Sequence, residues 1–252
     1  MKRIVEFCLG FSLAAAIRGI RLGPKEAYRG ARRGFSAAAP FATAGLPEIG
    51  LDQILGAARV EVKLNVMSYE DGMMPLYDAI PLLSILVMEQ PREVLEIGTF
   101  MGHTTRAMAD NLKEGIIHTA DLPEDFSTVA GATQEGIPKD DFHLIAKRVV
   151  GREFKGSPVA NRIVQHFGDT AEVDFREFGS PSFFFIDGSH TYEYCKNDSE
   201  KCLAISKPGS TFLWHDCDAG HPGVVRCLSE WRAAGKDVVR IAGSSLGYWK
   251  RP

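Results

Sequence analysis

From residue 51 onward, short apolar runs closed by glycine or an acid alternate with longer stretches of helical period. Residues 51–64 predict a short helix followed by an extended piece. Residues 75–89 (PLYDAIPLLSILVME) predict an apolar helix despite Pro81, and Gln90-Pro91-Arg92 breaks it. The run EVLEIG at 93–98 is short, apolar and ends in glycine, so it predicts a buried strand. Further strands are expected at 116–120, 163–167, 183–186 and 210–214, with helices at 104–112, 140–150, 192–205 and 224–234. Two closing strands at 238–241 and 246–250, separated by Gly243-Ser244-Ser245, read as a hairpin at the sheet edge. Strands alternating with helices imply an α/β fold with a mostly parallel sheet covered on both faces.

The first 50 residues follow another pattern. Lys2-Arg3 precedes a mostly apolar run over 4–17, which resembles the start of a signal peptide with Ala14-Ala15-Ala16 at its end. Glu6 inside the run, and Arg18, Arg21 and Lys25 just after it, argue against that reading. The run is also shorter than the roughly 20 apolar residues a membrane span needs. The arginine-rich stretch to residue 44 equally suits an organelle transit peptide. The favoured expectation is an amphipathic helix, with Ile4, Cys8, Phe11 and Ala15 on one stripe, lying on the protein or on a membrane surface. Residues 34–50, rich in Ala, Gly and Pro, read as a linker. The expected organisation is thus a basic helical extension over 1–50 and one main domain over 51–252.

Charge sharpens this division. The 252 residues carry a net −3, from 29 basic and 32 acidic side chains. Residues 1–33 hold eight basic residues against Glu6 and Glu26, a net +6, which leaves −9 for the remainder. That balance excludes a generally basic nucleic-acid coat protein, and no nucleic-acid partner is expected. The +6 segment is suited to peripheral membrane contact or to a homodimer interface. Five cysteines without a CxxC pair read as thiols of a reducing compartment, so the expected location is cytoplasmic, with targeting left open.

The sharpest local chemistry is VLEIGTFMGHTT at 94–105, a strand entering a glycine turn and then a helix. Gly98 lets the backbone approach a ligand, and Gly102 permits tight entry into the helix. Such turns lie where doubly wound sheets bind ligands. Phe100 stands where a dinucleotide site needs its second glycine, which argues against NAD. Alone, ExGxxxG is a weak signal that packing glycines also produce. Asp121 closes the second expected strand, where an acid can accept ribose hydroxyls, and Asp169 closes the third, near the place of an adenine amino group. Either acid alone reads as a cap or turn residue; acids at three successive strand ends are harder to dismiss.

These stretches, with FFFIDGSHTYEYCKND (183–198) and GSTFLWHDCD (209–218), resemble the class I S-adenosylmethionine-dependent methyltransferases. More narrowly they are similar to the family 24 group of small-molecule and sugar O-methyltransferases, over about residues 60–250. The resemblance implies a Rossmann-like, doubly wound, seven-stranded sheet of order 3-2-1-4-5-7-6 with strand 7 antiparallel. It implies S-adenosyl-L-methionine as cofactor, with Glu96, Gly98 and Gly102 around the methionine part and Thr99, Phe100 and Thr104 in the same turn. It puts Asp121 on the ribose, Asp169 and Thr170 near the adenine, Asp187 beside the cofactor, and Met73 in a covering segment. A small-molecule or glycan acceptor follows.

Independently of the resemblance, Asp187-Gly188-Ser189-His190 and His215-Asp216 end neighbouring parallel strands and should converge on one rim. Carboxylates and imidazoles on adjacent loops suit a divalent cation, Mg²⁺ or another, held by Asp187, His215 and Asp216. His215 replaces the acid or amide of relatives, and three readings stay open: a ligand for a softer ion, an acid–base group, or no metal. His190 is the expected general base, since a neutral hydroxyl is a poor nucleophile. The plainer alternatives are a satisfied loop histidine and a polar cluster tying two loops together. Asp198 is expected to turn toward the rim, and His103 to sit at an exposed helix start. Residues 122–161, with Lys147, Arg148, Arg152 and Lys155, read as a substrate-selecting lid for an anionic acceptor, or as a solvated face. A metal-dependent hydroxylase or lyase on the same fold, and a membrane-associated binding module, are the competing functions.

Overall fold

The computed structural model describes residues 45–64, 72–126 and 145–252. The expectations for the basic segment 1–33 and for residues 127–144 of the 122–161 insertion lie outside the described residues. In chain order the elements are β1 (Glu48–Ile49), α1 (Leu51–Leu55), α2 (Leu76–Glu89), β2 (Glu93–Ile97), α3 (His103–Asn111), β3 (Ile116–Asp121), β4 (Ile163–Phe167) and β5 (Phe183–Ile186). They continue with α4 (Tyr192–Ile205), β6 (Thr211–Trp214), α5 (Pro222–Ala233), β7 (Val239–Ile241) and β8 (Gly247–Lys250).

All strands join one sheet of order β1-β7-β8-β6-β5-β2-β3-β4. Reading from the β4 edge, the first seven follow the expected 3-2-1-4-5-7-6 pattern. β8 is antiparallel to β6 and β7, while β2 through β6 run parallel. The expectation of seven strands is corrected by β1, an eighth, which pairs parallel with β7. Residues 48–49 therefore belong to the sheet and not to a linker, and Leu46 is part of the core. The β7–β8 hairpin is not the edge either, because β1 lies outside it and β8 is wedged against β6.

The central strands are apolar without alternation, and the reason is double coverage. Phe183 and Phe185 face a cluster with Leu82, Leu86, Val94 and Leu213, whereas Phe184 and Ile186 face Leu95, Phe212, Trp214 and Trp231. Each fully buried side chain of this size contributes roughly 1.5–3 kcal/mol. α2 carries Pro81 without stopping, then ends at Gln90, whose left-handed φ of 44° and N–H bond to the Leu86 carbonyl close the helix before Pro91. α5 starts two residues earlier than expected because Pro222 fills its first turn, where no N–H is needed. The helix expected over 140–150 is corrected in part: residues 146–150 are turn and coil. Among the described residues, no helix is long and apolar enough to cross a membrane.

Candidate active site

The strand order reverses between β2 and β5, so the loops leaving their carboxyl ends diverge and open a crevice. A cavity of about 390 Å³ occupies it. Its first wall is the glycine turn after β2. Gly98 has φ +99°, and a Cβ there would stand 1.9 Å from the Asp187 carbonyl oxygen, so only glycine fits between the two strand ends. Phe100 also adopts a left-handed φ, 50°, and its N–H donates to Asp121 Oδ2 at 2.7 Å. The turn is strapped from outside: Gly151 N–H donates to the Phe100 carbonyl, Glu153 N–H to that of Met101, and the Phe154 ring lies where a Gly102 side chain would be.

Asp121 ends β3 at the cavity. Burial raises its carboxyl pKa, and the Arg148 guanidinium, 2.8 Å away and almost wholly buried, opposes that rise. Asp169 accepts from the Ala171 N–H at 2.9 Å and from the Tyr194 hydroxyl at 3.0 Å. Burial and this carboxylate push the Tyr194 phenol up to about 12. Lys201 steadies the same loop by donating to the carbonyls of Thr170, Ala171 and Val173.

The second wall gathers charge. His215 Nδ1 lies 3.0 Å from Asp187 Oδ1 and 3.1 Å from Asp216 Oδ2, and its Nε2 lies 3.2 Å from Asp78 Oδ2. Burial works against a charged imidazole, yet Asp187 and Asp216 outweigh it and hold His215 well above the ordinary histidine range. Burial likewise opposes ionisation of Asp216, but His215 and His190 keep that carboxyl well below its usual range. His190 Nε2 is 2.8 Å from Asp216 Oδ2. Asp78 arrives from the first turn of α2, fully buried, and is fixed by the Ser245 N–H (2.6 Å) and hydroxyl (2.9 Å) from the β7–β8 turn. Two carboxylates and an imidazole thus present ligand atoms within 4.8 Å of one another, a donor set that fits a divalent ion.

Residues 95–217 match the family model Methyltransf_24, described as a methyltransferase domain. Residues 95–217 are thus a methyltransferase domain. Among solved structures, it is similar to an O-methyltransferase from Bacillus cereus in complex with SAH, at 16% identity and a TM-score of 0.52, over 80% of this chain and 97% of that one. It is also similar to cofactor-bound Rv0187 from MTB, at 15% identity and a TM-score of 0.50, over 87% and 88% of the two chains. No curated protein matches it in sequence.

Of the residues expected in this methyltransferase site, Met73, Gly98, Phe100, Asp121, Asp169, Thr170, Asp187, His190, His215 and Asp216 line the one cavity. Glu96, Thr99, Gly102 and Thr104 do not. Glu96 is fully buried behind the turn, where its Oε2 accepts from Thr105 (2.5 Å) and Thr119 (2.6 Å). Burial pushes its carboxyl up to about 8. Thr99 feeds the same network through Thr119, and Gly102 caps α3. Asp198 turns toward the cavity as expected. His103 is buried and not at an exposed helix start, and it lies 3.8 Å from Glu153. Arg148 is not on a solvated face: it is buried, lines the same cavity and is paired with Asp121. Asp78, Ser245 and His221 were not legible as site residues; only the position of His221, five residues after Asp216 in one strand-end loop, gave a signal.

Proposed function

We propose that the protein transfers the methyl group of S-adenosylmethionine to a hydroxyl of a small molecule or sugar, with His190 as general base. The observation that carries this reading is the His190–Asp216 pair, 2.8 Å apart, in the cavity that Gly98, Asp121 and Asp169 also line. The residues suit the cofactor. Gly98 leaves backbone accessible, Asp121 and Asp169 offer acceptors for hydroxyl and amino groups, and Met73 gives a polarizable wall. The sulfonium supplies an electrophilic methyl group when bound.

The acceptor oxygen must shed its proton as the new bond to carbon forms. His190 takes that proton, and Asp216, kept as a carboxylate, orients the ring and stabilises the imidazolium. Holding the oxygen in line supplies most of the remaining acceleration. Asp187, His215 and Asp216 are the ligands we assign to a divalent cation. The His215 Nε2–H directed at Asp78 is the outer support typical of a metal-ligating histidine, and Nδ1 is left facing both carboxylates. Such an ion supplies Lewis acidity that lowers the pKa of the acceptor hydroxyl.

The test is calorimetric titration with S-adenosylmethionine, followed by a radiolabelled-methyl screen of hydroxylated acceptors. His190→Ala should keep cofactor affinity and lose turnover by roughly 10²–10⁴-fold. Full turnover in that variant removes His190 as the base, and folded protein that binds no cofactor removes the whole reading. Chelation with parallel metal analysis tests the cation.

A further inference from the structure

The loop after β6 carries a second histidine, His221, at the start of α5. Asp216, at a left-handed φ of 57°, stands between two imidazoles. Its Oδ2 is 2.8 Å from His190 Nε2, and its Oδ1 is 3.5 Å from His221 Nδ1. The two rings lie 4.6 Å apart, tilted by 57°. One ligand atom from each of the three residues lies within 4.8 Å of the other two. The side chains of His190 and His221 are 25% and 31% exposed, so an ion can reach them from solvent. This trio shares only Asp216 with the Asp187–His215 group.

We propose that His190, Asp216 and His221 bind a divalent ion of the Zn²⁺ class, and that this ion and base catalysis exclude one another. Two imidazoles and one carboxylate favour a borderline-soft ion, whereas Mg²⁺ and Ca²⁺ take shells of oxygen. Tetrahedral zinc with bonds near 2.0–2.1 Å sets its ligand atoms about 3.4 Å apart. Asp216 now meets the two rings with different oxygens, Oδ1 at 3.5 Å from His221 Nδ1 and Oδ2 at 2.8 Å from His190 Nε2, and an ion would gather one ligand atom of each residue from within 4.8 Å to that spacing. Asp218 Oδ1 lies 3.0 Å from the same His221 Nδ1 and accepts the Gly220 N–H at 2.8 Å, so a bound ion would take the place of the His221–Asp218 contact. An ion on Nε2 of His190 leaves the proton on Nδ1, and the ring can no longer accept another. This last consequence rests on the reading of His190 as the base; the ion site itself does not.

The test titrates metal-stripped, full-length protein with Zn²⁺ alone against a chromogenic zinc chelator, comparing Asp187→Asn, in which the other cation group is disabled, with the double variant that adds His221→Ala. Circular dichroism and urea unfolding of each variant check that it is folded. Adding His221→Ala should weaken Zn²⁺ binding by about tenfold or more. Undiminished binding on adding His221→Ala, or no Zn²⁺ binding by folded Asp187→Asn, overturns the site. Turnover of an acceptor found in the methyl-transfer screen then tests the exclusion. Zn²⁺ should inhibit wild type and spare His221→Ala, each measured against its own zinc-free rate. Zinc bound through His221 without inhibition overturns the exclusion and removes His190 as the base.

Discussion

Glu96→Gln isolates the cost of one buried carboxyl. Glu96 is completely buried at the end of β2, and its Oε2 receives two hydroxyl protons from Thr105 and Thr119. Its Oε1 is buried with no hydrogen-bond partner among the described residues. Burial disfavours the carboxylate more than the two threonines stabilise it, so the folded-state pKa rises from 4.5 to about 8. Between those values the folded protein holds a proton on Glu96 that the unfolded chain has lost. Stability must then fall as pH rises through this window, by up to about 1.4 kcal/mol per pH unit, and level off above it. Over the whole window the loss from this one group is on the order of 3–5 kcal/mol. Glutamine matches the neutral acid in shape, can accept both hydroxyl bonds, and does not titrate.

The measurement is urea unfolding of wild type and Glu96→Gln across about pH 5 to pH 8. Every other titrating group is shared, so the difference between the two stability curves reports Glu96 alone. The variant should gain on wild type steadily as pH rises, by a few kcal/mol at the alkaline end. Parallel curves would mean that Glu96 is ionised in the folded protein, and the account of its burial would be wrong.

Three further substitutions probe the site's supports. Gly98→Ala places a Cβ 1.9 Å from a backbone oxygen at a φ of +99°, so it should cost about 3 kcal/mol or more in urea unfolding and weaken cofactor binding; a near-neutral change contradicts the close-approach role. Arg148→Met removes the cation beside buried Asp121 and should cost about 3 kcal/mol, most of it recovered in the double variant with Asp121→Asn; strictly additive losses would show that the two groups are not coupled. Asp78→Ala leaves the Ser245 N–H and the His215 imidazolium without their buried acceptor, so about 3–5 kcal/mol should be lost. A nuclear magnetic resonance titration should also show the His215 pKa reduced, and an unchanged His215 titration would refute the support assigned to Asp78.

What the sequence disclosed about this site follows from how each residue got there. Gly98, Asp121, Asp169, Asp187 and Asp216 sit just past apolar runs, and a parallel sheet delivers every such strand end to one rim, so period and punctuation were enough to gather them. Asp78 arrives by another route: a polar position in the first turn of an otherwise apolar helix, meeting a histidine 137 positions away and a serine 167 positions away. No local pattern encodes such a meeting; it exists only because β8 is wedged between β7 and β6, which carries the Ser245 turn over the end of α2. Arg148 misleads for the opposite reason. Its basic neighbours suggest a solvated or anion-binding face, and only the strapping of residues 151–154 onto the glycine turn buries it against Asp121. β1 escaped because two residues are too few for a strand period, and its pairing depends on β7 being an available parallel edge. The reacting groups thus come from short-range signals, as do Asp187 and Asp216, which raise the His215 pKa, while the braces Asp78 and Arg148 come from long-range packing. Substitutions at Asp78 or Arg148 should therefore act through the placement of His215 and through the pKa and placement of Asp121, with no requirement that either side chain touch the acceptor.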